Sequence, residues 1–231
     1  MRLCVSLSVL LATLAVVAPA RAQRIQTIAR VIATSDVDGR FARPICDRGD
    51  ELLTEDASPG EGFLADVCKQ WEEATQAASE AGIRVVHLRT SLVLDPSGGA
   101  LGQMLPLFKM GVGGNLGSGK QYMSWISIDD MVAAILHILF TESIAGPVNL
   151  TAPNPVRNAE FTKTLGGVLS RPTFLPVPKF GLKLAMGSQS ADEMLLASQR
   201  VVPDALTQSG FEFAYPELEG ALSHLLGARK A

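Results

Sequence analysis

The sequence contains few residues of the kinds that build metal cages, disulfide frameworks or nucleic-acid-binding surfaces. Its 231 residues include three cysteines and three histidines, and its formal net charge is −3. The scattered spacing of these cysteines and histidines predicts neither a metal site nor a disulfide scaffold. The acidic balance argues against broad nucleic-acid binding, because no basic stripe is present to neutralise phosphates. The six residues are Cys4, Cys46, Cys68, His87, His137 and His224.

A working P-loop is also absent, although part of its motif occurs. Residues Gly114 to Lys120 match GxxxxGK, but Gln121 stands where a serine or threonine would hold magnesium. A predicted helix precedes the motif and a predicted strand follows it, which is the reverse of the order that aims the phosphate-binding amides. The sequence therefore predicts a glycine-rich surface turn at this point.

What the sequence does contain is enough apolar material for a core. Hydrophobic residues make up 47% of the chain and charged residues 19%, which suits one large or two small domains. Strand and helix patterns alternate, and this predicts an α/β fold with a mostly parallel sheet. The predicted strands are Ile28–Ala33, Ile83–Leu94 (one bent strand or a pair), Tyr122–Ile128, Gly146–Thr151 and Phe211–Tyr215. The main predicted helices are Gly62–Ala81, Ala100–Met110, one that Asn158 caps and that runs to about Leu169, Ala191–Ser198 and Pro216–Leu226.

Two charged features carry structural predictions. Asp129 and Asp130 follow the strand Tyr122–Ile128 at the start of a helical pattern, and Asp129 is the predicted N-cap of that helix. Arg89 interrupts the apolar strand pattern of Ile83–Leu94. An arginine at a buried strand end either pairs with a carboxylate or meets an anionic ligand, and the sequence leaves both alternatives open.

The first 22 residues form a segment of different character. A basic start, an apolar centre and an Ala-x-Ala ending are typical of a secretory signal peptide, which predicts the secretory pathway. Arg21, Arg24 and Arg30 precede the first acidic residue, Asp36, as in an organelle transit peptide. A third interpretation is a non-native start joined to a cytoplasmic protein. The apolar run is short for a membrane span, so none is expected once a signal is removed.

Six characteristic motifs follow one another along the chain: DRGDELLTE (Asp47–Glu55), FLADVCKQWE (Phe63–Glu72), LRTSLVLDPSGGAL (Leu88–Leu101), GSGKQYMSWISIDD (Gly117–Asp130), GPVNLTAPNPV (Gly146–Val156) and FLPVP (Phe174–Pro178). With these motifs, the sequence from Asp47 to Leu226 resembles the epimerase family within the atypical, extended short-chain dehydrogenases. The tail from Gln199 to Leu222 resembles the domain of unknown function that closes those chains.

The resemblance implies a Rossmann-type sheet that binds NAD(P) and a smaller α/β C-terminal lobe that closes over a small-molecule substrate, which we expect to be a nucleotide sugar. It divides the chain into residues 23–170, a partial Rossmann-like domain, and 171–231, the family-specific C-terminal domain. It also implies that Arg89, Asn149 and the segment Gly117 to Trp125, including Trp125 itself, face the substrate.

The sequence departs from the family pattern at its two best-known motifs. No GxGxxG turn occurs in it, although this turn places the dinucleotide pyrophosphate at a helix N-terminus. No Tyr-x-x-x-Lys pair occurs either, and the helix expected to carry it, Gly62–Ala81, contains no tyrosine. Catalytic and cofactor-binding residues are therefore left unassigned, and the expected Rossmann-type parallel sheet is incomplete.

Two functions fit these observations. The first is a truncated homologue of an NAD(P)-dependent nucleotide-sugar epimerase or oxidoreductase. The second is a non-catalytic ligand-binding or structural fragment of the same fold.

Overall fold

The computed structural model describes residues 32–33, 48–58, 63–174 and 197–227. Strands and helices alternate through this part of the chain, as the sequence pattern predicts. The strands are β1 (Ile32–Ala33), β2 (Leu52–Leu53), β3 (Val86–Thr90), β4 (Leu92–Leu94), β5 (Tyr122–Met123), β6 (Trp125–Ser127), β7 (Gly146–Leu150), β8 (Val156–Arg157) and β9 (Arg200–Val201). The helices are α1 (Phe63–Glu73), α2 (Gln76–Glu80), α3 (Gly99–Lys109), α4 (Ile128–Phe140), α5 (Asn158–Val168), α6 (Asp204–Gln208) and α7 (Leu218–Leu225).

Strand pairing in the described residues is mostly parallel. β1, β3 and β7 form a three-stranded parallel sheet in that order, and β4 pairs with β6 in parallel. β2 and β9 are also parallel, whereas β5 and β8 are antiparallel. The predicted α/β class is therefore confirmed.

β6 separates two apolar cores. Trp125 and Ile126 are neighbours on this strand and point to opposite faces, as successive strand residues do. Trp125 lies in a core that α3, α5 and α7 cover, together with Phe161 and Leu222. Ile126 lies in a second core, with Val148 of β7 and with residues of α4 and α6. The C-terminal helices α6 and α7 thus complete the cores that the sheet begins.

The chain changes strand partner at Ser91. The amide of Ser91 donates to the carbonyl of Leu150 at the end of β7, and the next amide, that of Leu92, donates to Ser124 O just before β6. The predicted strand Ile83–Leu94 is therefore a pair, β3 and β4, that belong to different sheets. β3, before Ser91, pairs with β7, and β4, after it, pairs with β6.

The prediction of one helix over Gly62–Ala81 is wrong, because the helix breaks between α1 and α2. Thr75 donates its hydroxyl to the carbonyl of Glu72, and its backbone amide donates to the same carbonyl, so side-chain bonding competes with the regular helical pattern. The buried face also differs from the apolar face that the pattern predicts. Trp71 is 46% exposed, whereas Cys68 and Thr75 are buried. The inward face therefore follows Cys68, Glu72 and Thr75 at helical spacing and is largely polar.

Two predicted helix caps are wrong in detail. Ser127 is the N-cap of α4, since its side chain accepts a hydrogen bond from the amide of Asp130, and Asp129 lies two residues after the cap, in the first turn. α5 begins at Asn158 rather than being capped by it, and Arg157 is the N-cap residue. The Asn158 side chain instead accepts a hydrogen bond from the amide of Leu116. The sequence thus identified polar residues at the starts of these two helices, but not the groups with which their side chains form hydrogen bonds.

The predicted strand Phe211–Tyr215 is not formed, and this stretch lies between α6 and α7 without regular structure. Of the predicted strand Ile28–Ala33 only β1 is described, and the segments 1–22 and 191–196 lie outside the described residues. None of the described helices is both long and apolar enough to cross a membrane.

Candidate functional site at the ends of the parallel strands

The carboxyl ends of β3 and β7 bring two of the predicted site residues together. Arg89 and Asn149 are register partners, one residue before the ends of the two parallel strands. In open α/β sheets, ligands bind in the crevice outside the carboxyl ends of the strands. Arg89 and Asn149 therefore lie at the edge where a ligand is expected in such a fold.

Arg89 makes a two-pronged ion pair with Glu72 of α1. Its Nε and Nη2 donate to the two carboxylate oxygens at 2.8 and 3.0 Å, and its Nη1 donates to the carbonyl of Glu55 at 3.0 Å. The Arg89 side chain is 11% exposed, so this geometry is held in a largely dry environment. Of the two alternatives predicted for Arg89, the structure shows the carboxylate. Contact with a substrate stays a prediction.

Glu55 connects Arg89 to Asn149. Its Oε1 accepts hydrogen bonds from the amides of Asn149 (3.0 Å) and Ala205 (3.3 Å). Its other oxygen, Oε2, is buried and has no partner among the described residues. Burial raises the pKa of the Glu55 carboxyl above its usual value, because desolvation disfavours the charged form. A carboxyl group of this kind can exchange a proton nearer to neutral pH than an exposed glutamate can.

The side chains of Asn149 and Trp125 both donate hydrogen bonds to backbone carbonyls of the protein itself. Asn149 Nδ2 donates to the carbonyl of Val202, which ties β7 to the segment after β9. Trp125 is fully buried, and its ring N–H donates to Asn154 O at 3.0 Å. The structure thus brings Glu55, Glu72, Arg89 and Asn149 into one network, which we call the strand-end cluster, and leaves Trp125 in the core beside β4. A substrate contact of Asn149 or Trp125 stays a prediction.

The side chains next to the strand-end cluster are not activated nucleophiles. Burial, with the Glu72 carboxylate nearby, raises the pKa of the Cys68 thiol to about 11, so this thiol is protonated at neutral pH. His87 lies two residues before Arg89 and shares a 2.7 Å hydrogen bond with the Thr75 hydroxyl. Burial lowers the pKa of His87, which favours its neutral form. This arrangement can position charge and exchange protons, but it offers no thiolate for attack.

The segment Gly117 to Trp125 begins as the glycine-rich turn that the sequence predicts. Gly117 and Gly119 adopt left-handed backbone angles with φ of 61° and 69°. The turn is fixed against α5, because Ala159 donates its amide to Gly119 O and Asn158 donates to Gln121 O. β5 follows it directly, so the geometry is not that of a P-loop, and the predicted surface turn is confirmed.

After this turn the chain enters a group of four two-residue strands, β2, β5, β8 and β9, that lie side by side. Tyr122 of β5 is the cross-strand partner of Arg157 of β8, and Leu52 of β2 is the partner of Arg200 of β9. A hydrogen bond from the amide of Gln199 to Tyr122 O joins the two pairs. We call these segments the ribbon. Its inner face buries Leu53, Val156 and Val201.

The outer face of the ribbon was not predicted from the sequence. The guanidinium carbons of Arg157 and Arg200 lie 4.5 and 5.1 Å from the centre of the Tyr122 ring. Each strand of the ribbon is two residues long, which is too short for an alternation of polar and apolar residues to be recognised. The alternation is nonetheless present, since Tyr122, Arg157 and Arg200 each adjoin an inward-facing apolar residue.

The comparisons with known proteins agree with this architecture. Residues 177–225 match the family model described as a domain of unknown function, DUF1731. Over 175 residues the chain is 47% identical to an epimerase family protein of Mycobacterium tuberculosis, an alignment that covers 76% of this chain and 58% of the relative. The chain belongs to the epimerase family. It spans a little over half the length of this relative, so the activity of the whole relative is not thereby shown for it.

Solved structures of epimerases show the same fold as this family member. A human epimerase family protein crystallised with NADPH has a TM-score of 0.77 and 30% identity, covering 86% of this chain and 64% of the human chain. A nucleoside-diphosphate sugar epimerase of Corynebacterium glutamicum has a TM-score of 0.65 and 37% identity, covering 87% of this chain and 38% of that one. These likenesses confirm the Rossmann-type α/β class. The predicted division at residue 170 stays a prediction.

Proposed function

We propose that this chain provides the substrate-side part of an NAD(P)-dependent epimerase or oxidoreductase that acts on a nucleotide sugar. The observation that carries the proposal is its likeness to the Corynebacterium nucleoside-diphosphate sugar epimerase and to the NADPH-bound human family member, both at 30% identity or more. In this chain that likeness coincides with a polar network at the carboxyl ends of β3 and β7. A ligand site is expected at this edge of the sheet.

The strand-end cluster would orient the substrate by fixed charge. Arginine carries five N–H donors, and the hydrogen bonds of Arg89 use three of them. Two N–H groups remain for an anionic or hydroxyl-bearing ligand, while Glu72 prevents the side chain from turning away. Glu55 holds β7 and α6 in place through Oε1 and has a second oxygen that is free to accept or donate a proton. A substrate contact of Trp125 would require the core around it to open.

The residues present do not fit the pyrophosphate of a dinucleotide. The sequence contains no GxGxxG turn. Within the described residues, the glycine-rich turn at Gly114 to Lys120 leads into β5 rather than into a helix N-terminus. No step of a reaction is therefore assigned to NAD(P) in this chain.

The same absences favour a second candidate, a non-catalytic ligand-binding or structural part of the fold. The sequence contains no Tyr-x-x-x-Lys pair. The face of α1 directed at the sheet carries Cys68 and Glu72, of which Glu72 is already committed to Arg89. A chain of this kind would hold a nucleotide sugar without converting it.

Equilibrium dialysis with radiolabelled UDP-glucose tests the proposal. We expect saturable binding to the purified chain and weaker binding to the Arg89→Gln variant, with Lys69→Gln on the outer side of α1 as the matched control. Lys69 forms only an exposed pair with Glu73, so its loss should leave the site intact. If UDP-glucose, GDP-mannose and dTDP-glucose all fail to bind, the proposal is wrong. Conversion of the bound sugar when NADPH is added would contradict the second candidate.

A further inference from the structure

On the outer face of the ribbon, one tyrosine lies between two arginines, one on each neighbouring strand. We call Arg157, Tyr122 and Arg200 the arginine–tyrosine row. Tyr122 lies on the strand between those of Arg157 and Arg200, and both guanidinium groups lie within cation–π distance of its ring. Leu52, the strand partner of Arg200, extends the row and is 52% exposed.

The cation–π contacts with Tyr122 leave N–H donors of both guanidinium groups available. A cation–π contact is an attraction of the charge to the ring face and does not by itself occupy every N–H donor of the guanidinium group. Arg157 donates to Lys120 O at 2.6 Å and to the Asp50 carboxylate at 2.9 Å. Arg157 also has a side-chain hydrogen bond with Tyr122, so at most two of its five N–H donors remain beyond these contacts.

Arg200 is the less satisfied of the two arginines. Its one hydrogen bond to the described residues is a long contact, 3.4 Å, from Nη1 to the carbonyl of Asp50. Its Nε is buried and has no partner in the part of the chain that the structure describes. A buried donor without a partner is destabilising, and in native proteins it commonly marks a place where a ligand or water completes the hydrogen bonding.

The charge balance of this surface favours an anion. Asp50 is the acidic side chain that bonds to the row, and its side chain is 68% exposed and therefore well screened. Arg48 is nearby in sequence but is paired with Glu51 in a two-pronged contact, so it neither adds to nor offsets the charge of the row. Two guanidinium groups against one screened carboxylate leave a net positive surface.

We propose that the arginine–tyrosine row is a subsite for a phosphate group of a small-molecule ligand, with Arg200 as its principal donor and Arg157 as the second. Planar N–H forks match phosphate oxygens, and the tyrosine ring holds both forks in place so that little side-chain entropy is lost on binding. The link to a nucleotide sugar rests on the proposed function. The phosphate chemistry rests on the row alone.

Isothermal titration of the full chain with inorganic pyrophosphate tests this proposal. We expect saturable binding that weakens as salt is raised, and a loss of about tenfold or more in affinity for Arg200→Gln, because a charged hydrogen bond is removed. Arg157→Gln should weaken binding less. Arg171→Gln is the matched control: Arg171 is exposed, donates to Lys109 O, and lies beyond the far end of α5, about 16 Å along that helix from Arg157.

A measurement on the wild-type chain keeps the test valid if a variant does not fold. In nuclear magnetic resonance spectra, the Nε–H signal of Arg200 should shift on addition of pyrophosphate, and that of Arg171 should not. Absence of saturable pyrophosphate binding, or an equal loss of affinity in Arg171→Gln, would overturn the proposal. Pyrophosphate binding without UDP-glucose binding would uphold this subsite and contradict the proposed function, so the two can fail separately.

Discussion

The carboxylate of Asp130 on α4 accepts a hydrogen bond from the backbone amide of Tyr215, at 3.0 Å. The amide of Ala214 donates to the other carboxylate oxygen at 2.8 Å, and the hydroxyl of Ser127 donates to Oδ2 at 3.0 Å. Asp130 is 1% exposed, so these bonds are made away from water. Asp130 therefore fixes the irregular segment before α7 against the start of α4.

Replacing Asp130 by alanine should be far more damaging than replacing Asp129. Asp130→Ala leaves two partly buried amides and the Ser127 hydroxyl without their acceptor, and we expect a loss of about 3 kcal/mol in the free energy of unfolding. Asp129 makes only an exposed pair with His224, so Asp129→Ala should lower that free energy by less than about 1 kcal/mol. Urea unfolding followed by circular dichroism measures both. Equal losses would show that Asp130 does not hold the C-terminal segment.

The ion pair between Arg89 and Glu72 should behave as a coupled unit. Removing either partner leaves the other charge partly buried and unpaired, so Arg89→Gln and Glu72→Gln should each lower the free energy of unfolding by about 2 to 4 kcal/mol. The double variant should lose less than the sum of the two single losses, with a coupling energy of about 1 to 3 kcal/mol. A double-mutant cycle in urea measures this energy. Strict additivity would mean that the pair contributes nothing as a pair.

Glu55 should make stability fall as pH rises through the acidic range. Its folded-state pKa is raised, so between the unfolded value, about 4.3, and the folded value the native state binds the extra proton. The free energy of unfolding of the wild type, relative to Glu55→Gln, should therefore fall as pH increases across this window and then level off. Urea unfolding at a series of pH values measures the trend.

Glu51 provides a control of opposite sign for the Glu55 prediction. The hydrogen bond from the Arg48 guanidinium lowers the pKa of the Glu51 carboxyl, so its contribution is present above the unfolded pKa and lost as pH falls. Wild type relative to Glu51→Gln should thus gain stability as pH rises. A difference between wild type and Glu55→Gln that did not change with pH would contradict the proposed state of Glu55.

The Cys68 thiol should react slowly in the folded protein. It is buried, and its pKa of about 11 leaves little thiolate at pH 8. Iodoacetamide labelling at pH 8, read by peptide mass spectrometry, should modify the peptide that contains Cys68 much faster in urea than in native buffer. Equal rates in the two conditions would show that α1 does not cover this thiol.

The regular apolar elements of this fold could be predicted from the sequence, because each has enough residues to show its period. α3 and β7 lie within about one residue of their predicted bounds, and the turn at Gly117 forms as its glycines indicate. The predicted helix Gly62–Ala81 was misjudged because the buried side of this stretch is largely polar. Glu72 and Thr75 point inward to partners on β3, and hydrophobic periodicity cannot detect a buried ion pair.

The site residues could be predicted only in part. Arg89 was singled out because it interrupts an apolar strand, and its partner Glu72 lies 17 residues earlier on a helix whose orientation the sequence does not determine. Glu55 and Arg200 were missed for a related reason. Their roles depend on contacts with Asn149 and Tyr122, which are distant in sequence and meet only when the short strands pair.

Titration of the purified chain with NADPH, followed by nucleotide fluorescence, tests the central claim most directly. The claim is that the chain carries the substrate-side part of an epimerase-family fold and no dinucleotide pyrophosphate site. We predict no saturable binding at NADPH concentrations up to about 10 µM, while the human family member, titrated in parallel, binds. Saturable binding of NADPH by this chain in that range would contradict the claim.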